Sequence, residues 1–389
     1  MLNKKTRKNA GITLIALVIT IVVLLILAGV SIATLTGDNG ILTQATKAKE
    51  QTQKASIEEQ RKLAQIEATM NSENTQYKGV TIPAGFAPTR IEGEDTLENG
   101  LVITDSKGNE FVWIPCTIDG ANDTLKYQRT RFGVEEVDNG TEAFKDELTL
   151  LNNDVTYSTT DTNNGINAEI SKEIVAQIQA EKKSISTYGG YYIGRYETGV
   201  LNNTAVIQQN QTPYAEIKWS TAYSLAKGID TGNRATSYLC SSYAWDTAIN
   251  FIQNNTTFTN YATARTVAMN ENWFDMEVKD ASGNTIKPAG ITQRLETGRT
   301  TAKANIYDMG GNVAEFTTEL MPGTSETVVF RGGNYYSYNH TPAGSRWDNI
   351  AGSSNAVLRF PSHFILKVAL STEKIFDKGW NNNLFRIIL

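Results

Sequence analysis

The chain has 389 residues, two histidines, two cysteines and a formal net charge of −5. This length fits one large domain with accessory segments, or two domains. The low histidine and cysteine counts exclude a disulfide scaffold and a zinc site built from a cluster of these ligands. Basic residues concentrate in the first eleven positions, which contain no acid, so the remainder of the chain is acidic. An acidic body argues against nucleic acid as a partner.

The N-terminal segment joins a basic leader, residues 1–11, to an uncharged apolar run, residues 12–36. A run of this length predicts a transmembrane helix, which needs about 20 residues. Its basic flank predicts a cytoplasmic N-terminus and an extracellular C-terminal domain on a single-pass protein of the cell membrane. A secretory signal peptide is the alternative. Against it, no small-x-small cleavage site follows at the right distance, and the run is long for a signal.

The junction of leader and apolar run, residues 8–15 (KNAGITLI), resembles the processing site of type IV prepilins. The resemblance implies cleavage by a prepilin peptidase between Gly11 and Ile12, after which the helix stays as a membrane anchor. Members of that family usually carry a glutamate five residues after the cut, where this chain has Ala16. In the family this carboxylate pairs with a neighbouring subunit's amine inside an apolar core, where an unpaired charge is costly. We therefore interpret the segment as a pilin-like anchor. A minor pilin that assembles with other pilin-like subunits is the alternative.

Residues 37–75 predict a helical stalk. The sequence Gly-Asp-Asn-Gly at 37–40 interrupts the apolar helix, and Asp38 or Asn39 can cap a new one. A helix over the next thirty residues is about 45 Å long at 1.5 Å per residue. A coiled-coil dimer and packing against the following domain are both compatible with the pattern. The predicted apolar stripe consists of Ile41, Ala45, Ala48 and Ala55, continued by Leu63, Ile66 and Met70.

From residue 76 onward, short strands and turns predict an α+β domain. The run Glu110–Pro115 predicts a buried strand. Residues 117–187 are interpreted as an insertion, with surface loops over Asp123–Asn167 and a helix over 168–183. Further helices are predicted over 219–226 and 243–252, with Trp219 and Trp245 as core anchors.

The stretch 305–316 (NIYDMGGNVAEF), followed by Phe330–Gly333, resembles the formylglycine-generating enzyme (sulfatase-modifying factor) family, a subclass of the C-type-lectin fold. Residues 110–115 and 188–197 are similar to early strands of that family. The resemblance implies a C-type-lectin-like domain over 76–389. The predicted architecture is therefore an N-terminal transmembrane and stalk helix followed by this domain. The family carries tryptophans at the positions of Ala314 and Phe316, so this chain is a divergent member.

Two carboxylates, Asp308 and Glu315, flank a Gly-Gly-Asn turn whose carbonyls can face inward, an arrangement that suits a hard cation. In the family a calcium ion is held by side chains at the positions of these two residues. Carbonyl groups at the positions of Gly311 and Val313 complete that set. The resemblance therefore implies a structural calcium ion. Two solvated carboxylates are the alternative.

The sequence lacks the catalytic residues of that family. Its oxidase binds copper through two nearby C-terminal cysteines, whereas this chain has Cys116 and Cys240 and none after them. We therefore predict no copper and no enzymatic activity, and an enzyme of the family is the alternative. The two cysteines are either buried thiols or, outside the cell, a single disulfide, and the sequence leaves both open.

The segments after Gly333 are rich in tyrosine, asparagine, serine and tryptophan, the composition of adaptable recognition surfaces. Because asparagine, tyrosine, serine, histidine and aspartate are related by changes to adenine in AAY codons, the segment resembles the variable region of a diversity-generating retroelement protein. We predict a surface-displayed protein that binds an unidentified extracellular protein or glycan, with ordinary surface loops as the alternative. The predicted contact residues are Asn334, Tyr335, Tyr336, Tyr338, Asn339, His340, Trp347, Asp348, Asn349, Trp380, Asn381 and Asn382.

Overall fold

The computed structural model describes residues 14–36, 40–132, 168–229, 235–320, 327–336, 341–350, 364–366 and 368–372. The chain divides into two compact units, Met1–Glu59 and Gln60–Leu389. The division falls inside the predicted stalk.

In the described residues the α-helices are α1 (Leu14–Thr36), α2 (Ile41–Met70), α3 (Ala168–Tyr188), α4 (Trp219–Lys227) and α5 (Ser242–Asn255). The strands are β1 (Thr75–Tyr77), β2 (Val80–Ile82), β3 (Phe86–Pro88), β4 (Val102–Asp105), β5 (Glu110–Pro115), β6 (Gly190–Gly194), β7 (Gly199–Leu201), β8 (Thr204–Val206), β9 (Thr212–Pro213), β10 (Ala235–Leu239), β11 (Val278–Lys279), β12 (Thr285–Lys287), β13 (Ala314–Leu320), β14 (Thr327–Arg331), β15 (Arg346–Ile350), β16 (Phe364–Leu366) and β17 (Val368–Thr372). The mixture of helices and sheets confirms the α+β class.

The first unit contains α1, which has no charged residue and is apolar along its length. Its large apolar side chains from Leu17 to Leu35 are exposed in the chain by itself. By length and composition α1 fits a membrane-spanning helix, and it fits a signal sequence equally well.

The second unit is built on a six-stranded antiparallel sheet with the order β10-β17-β6-β5-β4-β3. Side chains alternate across its central strand β5: Phe111 and Trp113 enter one apolar cluster, and Val112 and Ile114 enter another. Because both faces are buried, β5 is apolar in consecutive positions instead of alternating with polar residues. The predicted buried strand at Glu110–Pro115 is confirmed with these bounds.

The two predicted core tryptophans are confirmed. Trp219 on α4 and Trp245 on α5 are both fully buried. The indole N–H of Trp219 donates to the Thr317 carbonyl on β13 at 2.8 Å, so α4 is fixed to a second sheet. This four-stranded sheet has the order β15-β14-β13-β16, with β13 and β16 parallel and the other pairs antiparallel.

The buried face of α2 differs from the predicted stripe. Within the second unit, Ala64 and Ala68 are buried against Ala87, whereas Leu63, Ile66 and Met70 are exposed. Small side chains allow close approach of the helix to β3. On the same helix Arg61 forms ion pairs with Glu94, at 2.6 Å, and with Glu110. The prediction was wrong about the face because it followed the large apolar residues.

Part of the predicted surface loops, near Tyr127, packs on the core. Tyr127 is buried, and its hydroxyl donates to Glu181 Oε2 of α3 at 2.6 Å. The backbone N–H of Thr130 donates to Asp246 of α5 at 2.9 Å. Tyr127 and Thr130 therefore attach residues 127–132 to the core, whereas Asp119, Ala121, Asn122 and Lys126 are exposed. The predicted helix is confirmed and continues to Tyr188, and residues 133–167 lie outside the described part.

Cys116 and Cys240 are both buried free thiols. Burial raises the pKa of the Cys116 thiol, so that thiol stays protonated and unreactive near neutral pH. The sequence left open buried thiols or a single disulfide, and the structure contains buried thiols.

Candidate functional site

The candidate site is centred on residues 308–315, hereafter the carboxylate turn, which lead into β13. Asp308, Gly311 and Asn312 have positive φ angles of 57°, 75° and 49°. The Asp308 carboxylate accepts the Gly298 N–H at 2.7 Å and the Thr300 hydroxyl at 2.6 Å. These contacts fix one end of the turn to a loop that precedes it in the chain.

Three consecutive backbone N–H groups of the carboxylate turn have fixed acceptors. Gly311 donates to the Gly332 carbonyl at 2.7 Å, and Asn312 donates to the Asn272 carbonyl at 2.8 Å. Val313 donates to Glu197 Oε1 at 2.9 Å. Because each peptide group is planar, these bonds also fix the directions of the neighbouring carbonyls.

The side chain of Asn312, which is fully buried, joins the turn to other segments. Its amide oxygen accepts the Asn272 side chain at 2.8 Å and the Leu295 N–H at 3.0 Å. Its amide nitrogen donates to Glu197 Oε2 at 2.5 Å. A residue with this many buried partners cannot be replaced without leaving polar groups unsatisfied, which costs about 1–3 kcal/mol for each group.

Glu197, Asp308 and Glu315 are all buried and lie near one another. Burial, followed by the negative charges of Asp308 and Glu315, raises the pKa of Glu197 well above its usual range. Glu197 lies just after β6 and more than a hundred residues before the turn. The sequence prediction missed it, although it ends the 188–197 element that resembles the family.

A fourth carboxylate, Glu271, extends the acidic region. Burial raises the pKa of Glu271, Lys303 opposes this effect, and the charge of Asp308 adds to it. Lys303 Nζ lies 2.6 Å from Glu271 Oε1, and both side chains are fully buried. Glu271 is therefore neutralised by its own lysine.

Among the described residues, no group of three or more histidine, cysteine, aspartate or glutamate side chains is arranged to hold a metal ion. The set predicted from the sequence has only two such side chains, Asp308 and Glu315, and two backbone carbonyls, those of Gly311 and Val313. This observation therefore leaves the calcium site a prediction.

Residues 332–336, hereafter the recognition segment, lie directly against the carboxylate turn. The Tyr335 N–H donates to the Asn312 carbonyl at 2.9 Å, and the Tyr335 ring packs on Val313. The rings of Tyr335 and Tyr336 lie 4.9 Å apart. Burial raises the pKa of Tyr335 to about 12, so its hydroxyl stays protonated.

Two predicted contact residues, Asn334 and Tyr335, are each only 7% exposed. The Asn334 side chain accepts the Tyr336 N–H, and the Tyr335 ring packs on Val313. Their contact with a ligand stays a prediction. Tyr336 is partly exposed, as a contact residue must be.

The other predicted contact residues within the described part lie in β15, where the backbones of Trp347, Asp348 and Asn349 pair with β14. The predicted residues Gly11, Ile12, Tyr338, Asn339, His340, Trp380, Asn381 and Asn382 lie outside the described residues.

Both strands that flank the recognition segment are held by one carboxylate, Asp246 of α5. Arg331, at the end of β14, lies 2.6 Å from Asp246 Oδ1, and Arg346, at the start of β15, pairs with Oδ2. All three residues are buried. The Nε–H of Arg331 also donates to the Ser345 carbonyl at 2.8 Å. Asp246 thus fixes the spacing of the two strand ends, a role that local sequence does not reveal.

Glu319 of β13 completes this buried ionic cluster. Burial tends to raise the pKa of Glu319, but the positive charges of Arg346, Arg129 and Arg331 outweigh it and lower the pKa to about 2. A carboxylate of lowered pKa stabilises the fold at pH values above its unfolded pKa, near 4.5, and that contribution disappears as the pH falls toward 2.

We therefore expect the Glu319→Gln variant to be less stable than the natural chain at pH 6, with a difference that shrinks by about 3 kcal/mol between pH 5 and pH 2. Urea unfolding of both proteins at a series of pH values, followed by tryptophan fluorescence, measures this difference. A gap that stays constant over the series contradicts the proposed ionic role.

No protein-family model matches this sequence, and no curated protein matches it. Among the solved structures, two examples show weak similarity. CarF is 14% identical with a TM-score of 0.29, over 51% of this chain and 82% of its own. Variable protein 1 of Treponema denticola is 13% identical with a TM-score of 0.23, over 77% of this chain and 91% of its own. Similarity at this level supports no argument about fold or function.

Proposed function

We propose that this chain is a membrane-anchored surface protein whose C-type-lectin-like domain binds an extracellular protein or glycan through the recognition segment and the loops around it, without enzymatic activity. The N-terminal helix α1 is the anchor, and processing between Gly11 and Ile12 by a prepilin peptidase belongs to the same proposal.

Variation of the recognition segment and the loops around it by a retroelement is a further part of the proposal. A template repeat and a reverse transcriptase gene beside the coding region are the observations that test this part.

The observation that carries the proposal is the rigid attachment of the recognition segment. Its first residue accepts the N–H of Gly311, and Tyr335 donates to Asn312. Asp246 holds the flanking strands through Arg331 and Arg346. A segment attached through Arg331, Gly332 and Tyr335 presents Tyr336 with little conformational freedom. Rigid aromatic side chains lose little entropy when they bind a partner.

The proposal includes a structural calcium ion at Asp308 and Glu315, with the carbonyls of Gly311 and Val313. The donors are all oxygens, which calcium prefers. The fit is supported by the charge of the site, since Asp308 and Glu315 both raise the pKa of Glu197. A bound cation would offset the mutual repulsion of these buried carboxylates and stiffen the carboxylate turn.

Removal of calcium is expected to lower the melting temperature of the full chain in detergent by about 5 °C, because a ligand that binds only the folded state stabilises it. Differential scanning fluorimetry with excess chelator and with added calcium measures this change. The Asp308→Asn variant should not respond to chelator. The Asp105→Asn variant, which alters another buried aspartate, should respond like the natural chain. An unchanged transition of the natural chain in excess chelator contradicts the calcium site.

Ligand binding is tested with the full chain in phospholipid nanodiscs, applied to a printed array of glycans and purified extracellular proteins. For a probe that binds, Tyr336→Ala should weaken retention at least about tenfold, the effect of a central aromatic contact. Tyr77→Ala, in the β1–β2 hairpin, is the matched control and should leave retention unchanged. If Tyr336→Ala does not change retention of the probe, the recognition segment is not the binding site.

Surface display is tested on intact cells. Protease added from outside should remove the second unit and leave a membrane-bound N-terminal fragment. A domain that is protected until the cells are opened contradicts the extracellular location.

A further inference from the structure

Glu197 and Tyr335 bind opposite sides of one peptide group. The N–H of Val313 donates to Glu197 Oε1 at 2.9 Å, and the carbonyl of Asn312, in the same peptide plane, accepts the N–H of Tyr335 at 2.9 Å. In a trans peptide the N–H and the C=O point in opposite directions. Glu197 therefore sets the direction in which this carbonyl faces the recognition segment.

The second oxygen of Glu197 strengthens this control, because Oε2 accepts the side-chain amide of Asn312 at 2.5 Å. Glu197 thus holds the backbone N–H of Val313 and the side chain of Asn312. Asn312 has a left-handed φ of 49°, which costs energy for a residue other than glycine and persists where its surroundings hold it. Chains of hydrogen bonds polarise one another, so the contacts of Glu197 and Tyr335 with this peptide support each other.

We propose that Glu197 is a positioning residue that couples the carboxylate turn to the recognition segment through the Asn312–Val313 peptide. Glu197 does not contact the ligand or the cation in this proposal. It fixes the Asn312–Val313 peptide, which links the peptide groups that carry the Gly311 and Val313 carbonyls, and it fixes the acceptor of Tyr335. The significance for ligand binding rests on the proposed function, whereas the hydrogen-bond coupling does not.

The test uses the full chain in detergent and compares Glu197→Gln with the natural protein. Glutamine keeps the size of the side chain, but its amide presents a donor toward one of the two N–H groups, so one hydrogen bond is lost. Hydrogen exchange followed by mass spectrometry should show exchange of the recognition segment on the order of tenfold faster in the variant. Calorimetric titration with calcium chloride should show affinity lower by about tenfold to a hundredfold, the usual effect of losing a residue that orients ligands.

The matched control is Glu181→Gln. Glu181 is a buried carboxylate that accepts hydrogen bonds from Tyr127, Ser241 and Gln177, with no contact to the carboxylate turn. Its replacement has a comparable structural cost, but exchange of the recognition segment and calcium affinity should stay within about twofold of the natural values.

A measurement on the natural chain keeps the proposal testable if Glu197→Gln does not fold. The amides of Val313 and Tyr335 should exchange at similar rates, because opening the shared peptide releases both. Independent exchange of these two amides overturns the coupling, as does unchanged segment exchange in a folded Glu197→Gln variant. If the natural chain binds no calcium, the proposed calcium site is wrong. The hydrogen-exchange measurements then decide by themselves whether Glu197 couples the turn to the recognition segment.

Discussion

Replacing Asp246 with asparagine is expected to lower the free energy of unfolding by about 3–5 kcal/mol, the usual effect of removing one partner from a buried ion pair. Asp246 is fully buried and is shared by Arg331 and Arg346. An asparagine retains one acceptor oxygen but has no charge, so two guanidinium groups lose their common counter-ion inside the protein. Arg346 keeps Glu319, at 3.2 Å, whereas Arg331 has no second ion pair among the described contacts.

Thermal and urea unfolding of the full chain in detergent measure this effect. The Glu98→Gln variant removes an exposed carboxylate from the same unit and should change stability by less than about 0.5 kcal/mol. Because Asp246 holds both ends of the loop, the Asp246→Asn variant should also increase proteolysis between Arg331 and Arg346 at temperatures below unfolding. A variant as stable as the Glu98→Gln control contradicts this role for Asp246.

Replacing Gly311 with alanine is expected to destabilise the domain by about 2–5 kcal/mol. Gly311 has a φ of +75°, where a residue with a Cβ atom costs about 1–2 kcal/mol. An added Cβ would also lie 2.7 Å from the carbonyl oxygen of Asn272 and 2.8 Å from its carbonyl carbon. Both are backbone atoms that cannot rotate away, so the turn must shift, at a cost of about 1–3 kcal/mol for overpacking.

The Gly283→Ala variant separates these two effects. Gly283 has a similar φ of +83°, but no atom lies within 4 Å of an added Cβ. Replacing Gly283 with alanine should therefore lower the free energy of unfolding only by the backbone cost of the positive φ, about 1–2 kcal/mol. Denaturant unfolding of the two variants should therefore differ by about 1–3 kcal/mol, and the Gly311→Ala variant should also lose its response to calcium. Equal destabilisation would show that Asn272 does not restrict the turn.

The sequence by itself determined the features that depend on neighbouring residues. The apolar run predicted α1, the Ala-, Lys- and Glu-rich stretch predicted α2, and the apolar run at Glu110–Pro115 predicted β5. Burial of Trp219 and Trp245 followed from their apolar helical neighbours. These features could be predicted because the spacing of apolar residues in a helix or a strand repeats every few residues along the chain.

The tertiary structure decided the contacts between distant segments. It brought Glu197 beside the carboxylate turn, placed Asp246 between Arg331 and Arg346, and buried Tyr335 against Val313. It also turned Ala64, and not Leu63, toward the domain. Sheet register and helix packing set these contacts, and residues far apart along the chain leave no local sequence pattern that predicts their contact. For this reason the sequence could indicate Asp308 and Glu315, seven residues apart, but not the carboxylate that holds the turn between them.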